Sequence, residues 1–81
     1  MVTNVDPCIE FGLRLRKLRV QRGLSQEGLA NRAGLDRTYI SSCEAGKRNV
    51  TLRTIVRLAH ALEVEPSVMI AGVVAVTTES A

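Results

Sequence analysis

Residues 24–46 read LSQEGLANRAGLDRTYISSCEAG, and the local signals in this stretch set the architecture of the chain. Ser25 is a favoured N-cap residue and predicts a helix over residues 26–33. Gly34 ends that helix, because glycine adopts the left-handed backbone conformation at low cost. We therefore expect a short helix at the start of the stretch.

A second short helix follows almost immediately. Asp36 predicts its N-cap, the helix continues over residues 37–45, and Gly46 closes it. Only residues 34–36 join the two helices, and a link this short makes them cross steeply instead of lying antiparallel. The spacing therefore predicts a helix-turn-helix.

Helical signals also flank this pair on both sides. Asp6 and Pro7 predict the N-cap and the first residue of a helix over residues 7–22. Thr51 predicts the N-cap of a fourth helix, and Pro66 begins a short fifth one. Apolar residues expected to face the core recur at helical spacing, namely Phe11, Leu15, Leu18, Leu29, Ala30, Ala33, Ile40, Cys43, Leu52, Ile55, Leu58, Ala59 and Leu62. The sequence therefore predicts an all-α domain of five helices.

The length of the chain limits it to one domain. A chain of 81 residues buries only about 60 % of its unfolded surface, so it supports a single core. We expect residues 7–71 to hold the helices. Residues 72–81 form a tail that extends the fifth helix, pairs as an edge strand or stays disordered. The longest apolar stretch, residues 68–76, is much shorter than the roughly 20 residues that cross a bilayer, so no membrane partner is expected.

Positive charge is concentrated in the middle of the chain. All eleven Lys and Arg residues lie between Arg14 and Arg57, together with only three of the eight acidic residues. Such an excess on a small domain indicates a polyanionic partner, although solubility alone also accounts for some basic domains. Aromatic residues make up only 2% of the chain, which argues against a stacking platform for single strands. Double-stranded DNA is the polyanion that fits.

Two cysteines and one histidine are the residues best suited to metal or nucleophilic chemistry. Cys8 and Cys43 lack CxxC spacing, which favours a reducing cytoplasm, and the N-terminal residues do not resemble a signal peptide. His60 has no acid or nucleophile at useful spacing. We therefore expect a cytoplasmic protein without catalytic residues, metal, cofactor or small-molecule ligand.

The helix over residues 37–45 carries the candidate base readers. When Ile40 points into the core, the outward side chains are all small. They are Thr38, Ser41, Ser42 and Ala45. Small side chains let a helix approach the floor of a major groove about 12 Å wide. We expect Arg37, Thr38 and Ser42 to read bases, with Arg37 donating to the O6 and N7 atoms of guanine.

Contacts to the DNA backbone are expected on either side of these readers. Gln26 opens one helix, and Lys47, Arg48 and Asn49 precede another, so both groups lie at helix N-termini, which attract anions. Tyr39 points sideways. It packs on a sugar or an unstacked pyrimidine–purine step, or it is half-buried with its hydroxyl on a phosphate.

Two opposite charges border the predicted core. Arg19 follows the inward Leu18, and Glu44 follows the inward Cys43. One arrangement is a buried ion pair that joins the first helix to the third, whose disruption would be costly. The other places both side chains on the surface, where a pair is worth little.

An apolar patch near the end of the chain suggests a dimer. It consists of Val68, Met69, Ile70, Val73 and Val74. A soluble domain rarely exposes such a patch, so a second copy related by a two-fold axis would bury it. The alternative is that these residues cover the first helix of their own domain, and both arrangements are compatible.

Residues 24–64, LSQEGLANRAGLDRTYISSCEAGKRNVTLRTIVRLAHALEV, resemble the phage-repressor and Cro type of helix-turn-helix proteins. Within that family, LDRTYIS followed by Glu44 and by KRN is most similar to the controller proteins of bacterial restriction-modification systems. The resemblance covers residues 9–70. Gly28 stands where the family usually has Glu or another helix former, which costs the helix about 1 kcal/mol.

This resemblance implies a five-helix, lambda-repressor-like fold and a homodimer on a pseudo-palindromic operator in the bacterial nucleoid. The regulator would activate or repress its own gene and that of an endonuclease. The family's base readers fall on Arg37, Thr38 and Ser42, and its backbone contacts fall on Gln26, Tyr39, Arg48 and Asn49. The Arg19 and Glu44 pair also matches the family pattern. The alternative is an antitoxin, or another small repressor, whose apolar C-terminal segment binds a partner protein.

Overall fold

The computed structural model describes residues 6–73, which form five helices and contain no strand. The helices are α1 (Pro7–Gln21), α2 (Gln26–Ala33), α3 (Arg37–Glu44), α4 (Leu52–Leu62) and α5 (Pro66–Ile70). The predicted all-α, five-helix fold is confirmed. Most of the predicted tail, residues 74–81, lies outside the described residues. No helix within residues 6–73 is long and apolar enough to cross a membrane.

Side-chain caps begin the first four helices. In each case a carboxylate or hydroxyl oxygen accepts a hydrogen bond of 2.9–3.2 Å from a backbone N–H in the first turn. The capping residues are Asp6, Ser25, Asp36 and Thr51, as predicted. Each cap satisfies one of the free donors at a helix N-terminus, so the chain enters each helix at a defined residue.

The core is made of side chains from all four longer helices. Leu15, Leu29, Ile40, Leu58 and Leu62 are fully buried, with 0% of their surface exposed. Together they join α1, α2, α3 and α4 into one cluster. The core therefore fixes the helix-turn-helix pair against the two flanking helices.

The prediction that Leu52 faces the core is wrong. Leu52 is the first residue of α4 and is 75% exposed, whereas Ile55 is half-buried and Leu58 is fully buried. Helical spacing predicts the direction in which a side chain points around the helix axis. It does not predict where along that axis the neighbouring helices end. The first turn of α4 begins outside the core.

The backbones of α1 and α3 approach each other closely at Gly12, to which the sequence analysis assigned no role. A Cβ atom added at Gly12 would clash with the carbonyl oxygen of Cys43 and would lie 2.8 Å from that of Glu44. Gly12 is itself buried. Only a hydrogen atom fits between the two helices at this point, so Gly12 sets their separation.

We expect Gly28→Ala to raise the free energy of unfolding by about 0.5–1 kcal/mol. Glycine gives the unfolded chain more conformational freedom than alanine does, and the chain loses this freedom when α2 forms. An added Cβ would lie 3.2 Å from Ser25 Oγ and 3.6 Å from Leu24 Cδ2, so a small shift of the cap accommodates it. Denaturation in urea, followed by circular dichroism, measures the change. A lower midpoint for the variant would show that the Ser25 cap cannot absorb that shift.

Candidate nucleic-acid interface

The turn between α2 and α3 is held by its own backbone and by α4. Gly34 adopts a left-handed conformation with φ 68°, and Leu35 N donates to Ala30 O at 2.9 Å. Arg57 of α4 reaches the turn, and its Nη2 atom donates to Gly34 O at 2.9 Å. Arg57 therefore helps to hold the turn. Sequence reasoning missed this role, because a partner that is a backbone carbonyl leaves no signal in the sequence.

The first turn of α3 lies at the surface, and the side of α3 that carries Ile40 and Cys43 lies in the core. Arg37 and Thr38 are exposed, whereas Ile40 and Cys43 have 0% and 1% of their surface exposed. Ser42, the third candidate base reader, is half-buried. The predicted orientation of Ile40 and Cys43 is confirmed, and the first turn of α3 faces solvent.

Arg48 lies along α3, in contact with two of the other candidate residues. Its Nε atom donates to Ser42 Oγ at 3.0 Å, and its guanidinium carbon lies 5.0 Å from the centre of the Tyr39 ring. Ser42 Oγ in turn donates to Tyr39 O at 3.0 Å. The structure thus joins Tyr39, Ser42 and Arg48 in one cluster, which spans the predicted base-reading and backbone-contacting groups.

Burial affects the two ionisable groups at the centre of α3. Tyr39 is half-buried, and burial raises the pKa of its hydroxyl above the usual value. Burial likewise raises the pKa of the Cys43 thiol. Both side chains are therefore neutral at physiological pH and add no negative charge beside the arginine and lysine residues near α3.

Lys47 and Asn49 are exposed in the loop that leads from α3 to α4, on either side of Arg48. Lys47 N donates to Ser42 O at 3.0 Å, which attaches the start of this loop to α3. Thr51 then caps α4. The loop carries two cations beside a helix N-terminus, an arrangement that favours an anion.

Arg19 and Glu44 form a bidentate ion pair between α1 and α3. Arg19 Nε lies 2.6 Å from Glu44 Oε2, and Arg19 Nη2 donates to Glu44 Oε1 at 3.0 Å. The side chains are 10% and 4% exposed, so the structure has the buried arrangement of the two that the sequence allowed. Hydrogen bonding to Glu44 raises the pKa of Arg19, which keeps the guanidinium charged.

Gln26 joins this ion pair to the first residue of α3. Its Nε2 atom donates to Glu44 Oε1 at 3.1 Å, and its Oε1 atom accepts from Arg37 Nη1 at 3.3 Å. Gln26 was predicted to contact the DNA backbone, but in this structure its amide is directed to two protein side chains. Both polar atoms of the side chain are engaged.

The structure separates the residues of the predicted dimer patch, of which Val74 lies outside the described residues. Met69 has 0% of its surface exposed and belongs to the core of its own domain, so it offers no surface to a second copy. Ile70 is 50% exposed, and Val68 and Val73 are half-buried. Because α5 packs on α1 and α4, its inner face is already covered. Met69 is therefore removed from the predicted interface.

Cys8, Cys43 and His60, the residues considered for metal binding, do not converge. Within residues 6–73 no group of three or more His, Cys, Asp or Glu side chains could hold a metal ion. His60 is exposed on α4.

Comparison with known proteins shows similarity over most of the chain. A family model described as a helix-turn-helix domain matches residues 10–69. The control protein C.MunI of Mycoplasma sp is 48% identical over 58 residues, which cover 70% of this chain and 78% of that protein. The matched family region includes α2, α3 and the loop before α4.

Solved structures show the same similarity in three dimensions. The restriction-modification controller protein C.AhdI from Aeromonas hydrophila has 52% sequence identity and a TM-score of 0.75, covering 76% of this chain and 94% of that chain. The controller protein C.Esp1396I, crystallised as a tetramer with its natural 35 base-pair operator, has 32% identity and a TM-score of 0.76. That match covers 85% of this chain and 91% of the other.

Proposed function

The chain belongs to the helix-turn-helix domain family, and on this basis we propose that it is a sequence-specific regulator of transcription that binds double-stranded DNA. The observation that carries the proposal is the first turn of α3, which exposes Arg37 and Thr38 while Ile40 anchors the helix in the core. The operator complex of C.Esp1396I, a relative of similar fold, supports it.

The specific role we propose is control of a restriction-modification system. The restriction-modification controller protein C.AhdI, at 52% identity, and the control protein C.MunI, at 48% identity, support this role. The regulator would bind a pseudo-palindromic operator and control its own gene and that of the endonuclease. Its place of action would be the bacterial nucleoid, within the cytoplasm. The family comprises DNA-binding regulators, and we extend this to the chain by proposing that it acts without a catalytic step, cofactor or small-molecule ligand.

We propose a division of roles among the surface residues. Arg37, Thr38 and Ser42 read bases, because Thr38 and Ser42 lie on the outward face of α3 and Arg37 projects from its first turn, where the helix can enter a major groove. The residues proposed to contact the backbone are Gln26, Tyr39, Lys47, Arg48 and Asn49. Backbone contacts position the protein without specifying a sequence.

We propose that the active form is a homodimer. Val68, Ile70 and Val73 remain available at or near the surface, and Ile70 is 50% exposed. Burial of this apolar surface against a second copy supports the proposal. Two copies of α3 would then reach successive major grooves, with half-site centres about 34 Å apart.

Selection from a pool of randomised duplexes, followed by affinity measurements with two variants, tests the proposal. We expect Arg37→Ala to raise Kd for the selected site by about 30-fold, or about 2 kcal/mol, and to relax the preference at one base pair in each half-site. Arg48→Ala should weaken binding to all sequences alike and reduce the salt dependence. Equal loss of discrimination from both variants would contradict the division of roles, and a pool that yields no motif would contradict the function itself.

A further inference from the structure

A continuous line of hydrogen bonds runs from the interior of the domain to the first residue of α3. Arg19 holds Glu44 through two hydrogen bonds, of 2.6 and 3.0 Å. Glu44 Oε1 accepts from Gln26 Nε2 at 3.1 Å, and Gln26 Oε1 accepts from Arg37 Nη1 at 3.3 Å. The line therefore connects a buried ion pair to an exposed guanidinium.

Glu44 determines which way the amide of Gln26 points. A carboxylate only accepts hydrogen bonds, so the nitrogen of the amide has to face it. The oxygen of the amide then faces Arg37, whose guanidinium only donates. If the amide were reversed, its oxygen would face the carboxylate oxygen of Glu44, and its nitrogen would face the N–H groups of Arg37. Only one orientation satisfies both neighbours.

The buried end of this line of hydrogen bonds, at Arg19 and Glu44, is held by several contacts. The side chains of Arg19 and Glu44 are 10% and 4% exposed, and Arg19 Nη1 also donates to Leu24 O at 2.8 Å. Movement of either side chain would break several hydrogen bonds in a buried site, which is costly. Gln26 is thus attached to a support that holds its position, and its hydrogen bond to the exposed Arg37 restricts the rotamers of that side chain.

The contact with Gln26 leaves Arg37 able to bind DNA. A guanidinium carries five N–H donors, and the hydrogen bond to Gln26 engages only one of them. Two parallel donors suffice for the O6 and N7 atoms of guanine. A side chain held in place before binding loses less conformational entropy when it binds.

We propose that Gln26, oriented by the buried carboxylate of Glu44, is a positioning residue for Arg37 and contributes to base-pair specificity without touching a base. The inference rests on the proposed function, in which Arg37 reads a base. This role is additional to the backbone contact proposed above for Gln26, which would strengthen binding to every sequence equally, whereas positioning Arg37 changes the ratio of affinities between sequences.

A double-mutant cycle with Gln26→Met and Arg37→Ala tests this role, because methionine keeps the length of the side chain and removes both hydrogen bonds. Binding is measured to the selected duplex and to the same duplex with the base pair read by Arg37 replaced. We expect Gln26→Met to reduce the ratio of the two affinities by about fivefold, and to leave that ratio unchanged when Arg37 is already alanine. An equal loss on both duplexes that persists in the Arg37→Ala background would overturn the inference.

Glu44→Gln tests the orienting carboxylate separately. The new amide can present either its oxygen or its nitrogen to Gln26, so the direction of the Gln26 amide is no longer imposed. We expect the same loss of discrimination as for Gln26→Met, and no further loss when the two changes are combined. Unchanged discrimination in a folded Glu44→Gln variant would remove Glu44 from the proposal. If that variant does not fold, the cycle with Gln26→Met decides.

A measurement without DNA separates this inference from the proposed function. In the free protein, ¹⁵N relaxation of the Arg37 side-chain Nε–H reports its order on the fast timescale. We expect Gln26→Met to lower this order parameter while that of Arg57, bonded to Gly34, stays unchanged. An unchanged value for Arg37 would overturn the positioning role. A duplex pool that yields no motif would instead contradict the proposed function, whatever the relaxation data show.

Discussion

Arg19→Met is expected to lower the free energy of unfolding by about 3–4 kcal/mol, a large share of the stability of so small a domain. The change would leave the Glu44 carboxylate, which is 4% exposed, without its cation. It would also leave Leu24 O without the donor that now lies 2.8 Å away. Urea denaturation monitored by circular dichroism measures the loss, and the midpoint should fall without a change in the slope of the transition.

The matched control is Arg22→Met, which makes the same substitution at a surface pair. Arg22 Nη1 lies 3.4 Å from Glu63 Oε1, and these side chains are 41% and 71% exposed. We expect a change within about 0.5 kcal/mol, because water and salt screen an exposed pair. The combined change Arg19→Met and Glu44→Met should recover much of the lost stability, since it removes both buried charges. If Arg19→Met cost no more than Arg22→Met, the buried pair would not be what joins α1 to α3.

Gly12→Ala is expected to lower the free energy of unfolding by about 3 kcal/mol. An added Cβ would clash with Cys43 O and approach Glu44 O to 2.8 Å, and both are backbone atoms that cannot turn aside. α1 would have to move away from α3, which opens the core around Leu15 and Ile40. The same shift would displace α3, so we also expect weaker binding to the selected duplex at temperatures where the variant is fully folded.

Gly28→Ala provides the matched control for this prediction. Both positions are glycines within helices, and alanine improves the intrinsic helix propensity at each by a similar amount. The neighbour of Gly28 is the side-chain oxygen Ser25 Oγ, 3.2 Å from the added Cβ, whereas Gly12 faces backbone carbonyl groups. The two substitutions should therefore change stability in opposite directions. A stabilising Gly12→Ala would show that the two helices separate without cost.

The starts of all five helices and the ends of α1, α2 and α3 could be predicted to within one residue, because their determinants lie next to them in the chain. Asp6, Ser25, Asp36 and Thr51 cap their helices through hydrogen bonds that span no more than three residues. The resemblance to restriction-modification controllers had the same basis, a continuous run of residues, and the comparisons confirm it.

Predictions were wrong where they concerned what covers a side chain. Leu52 has the right spacing to face the core but lies before it, and Met69 was assigned to a dimer but is fully buried in its own domain. Periodicity defines the face of a helix. It does not state whether that face is covered by the same domain, by a second copy or by water.

The residue types of the candidate site could be predicted, but the hydrogen bonds between its side chains could not. The exposure of Thr38 follows from the inward direction of Ile40, and that of Arg37 follows from its place as the first residue of α3. By contrast, the hydrogen bonds of Gln26 span 11 and 18 residues, and that of Arg57 spans 23. Side chains so far apart in sequence meet only after the helices have packed.

The amino-acid sequence was sufficient to predict the five helices and the turn between α2 and α3, because caps, glycine turns and helical periodicity act within a few residues. It was also sufficient to predict the family, because the resemblance rests on a continuous run of residues. The separation of α1 from α3 at Gly12, the burial of Arg19 with Glu44 and the line through Gln26 to Arg37 depend on how distant helices meet. No local pattern distinguishes Gly12 from Gly28, although one is packed against another backbone and the other faces a movable side chain. The difference arises from the three-dimensional surroundings of each glycine, which are established only when the core forms.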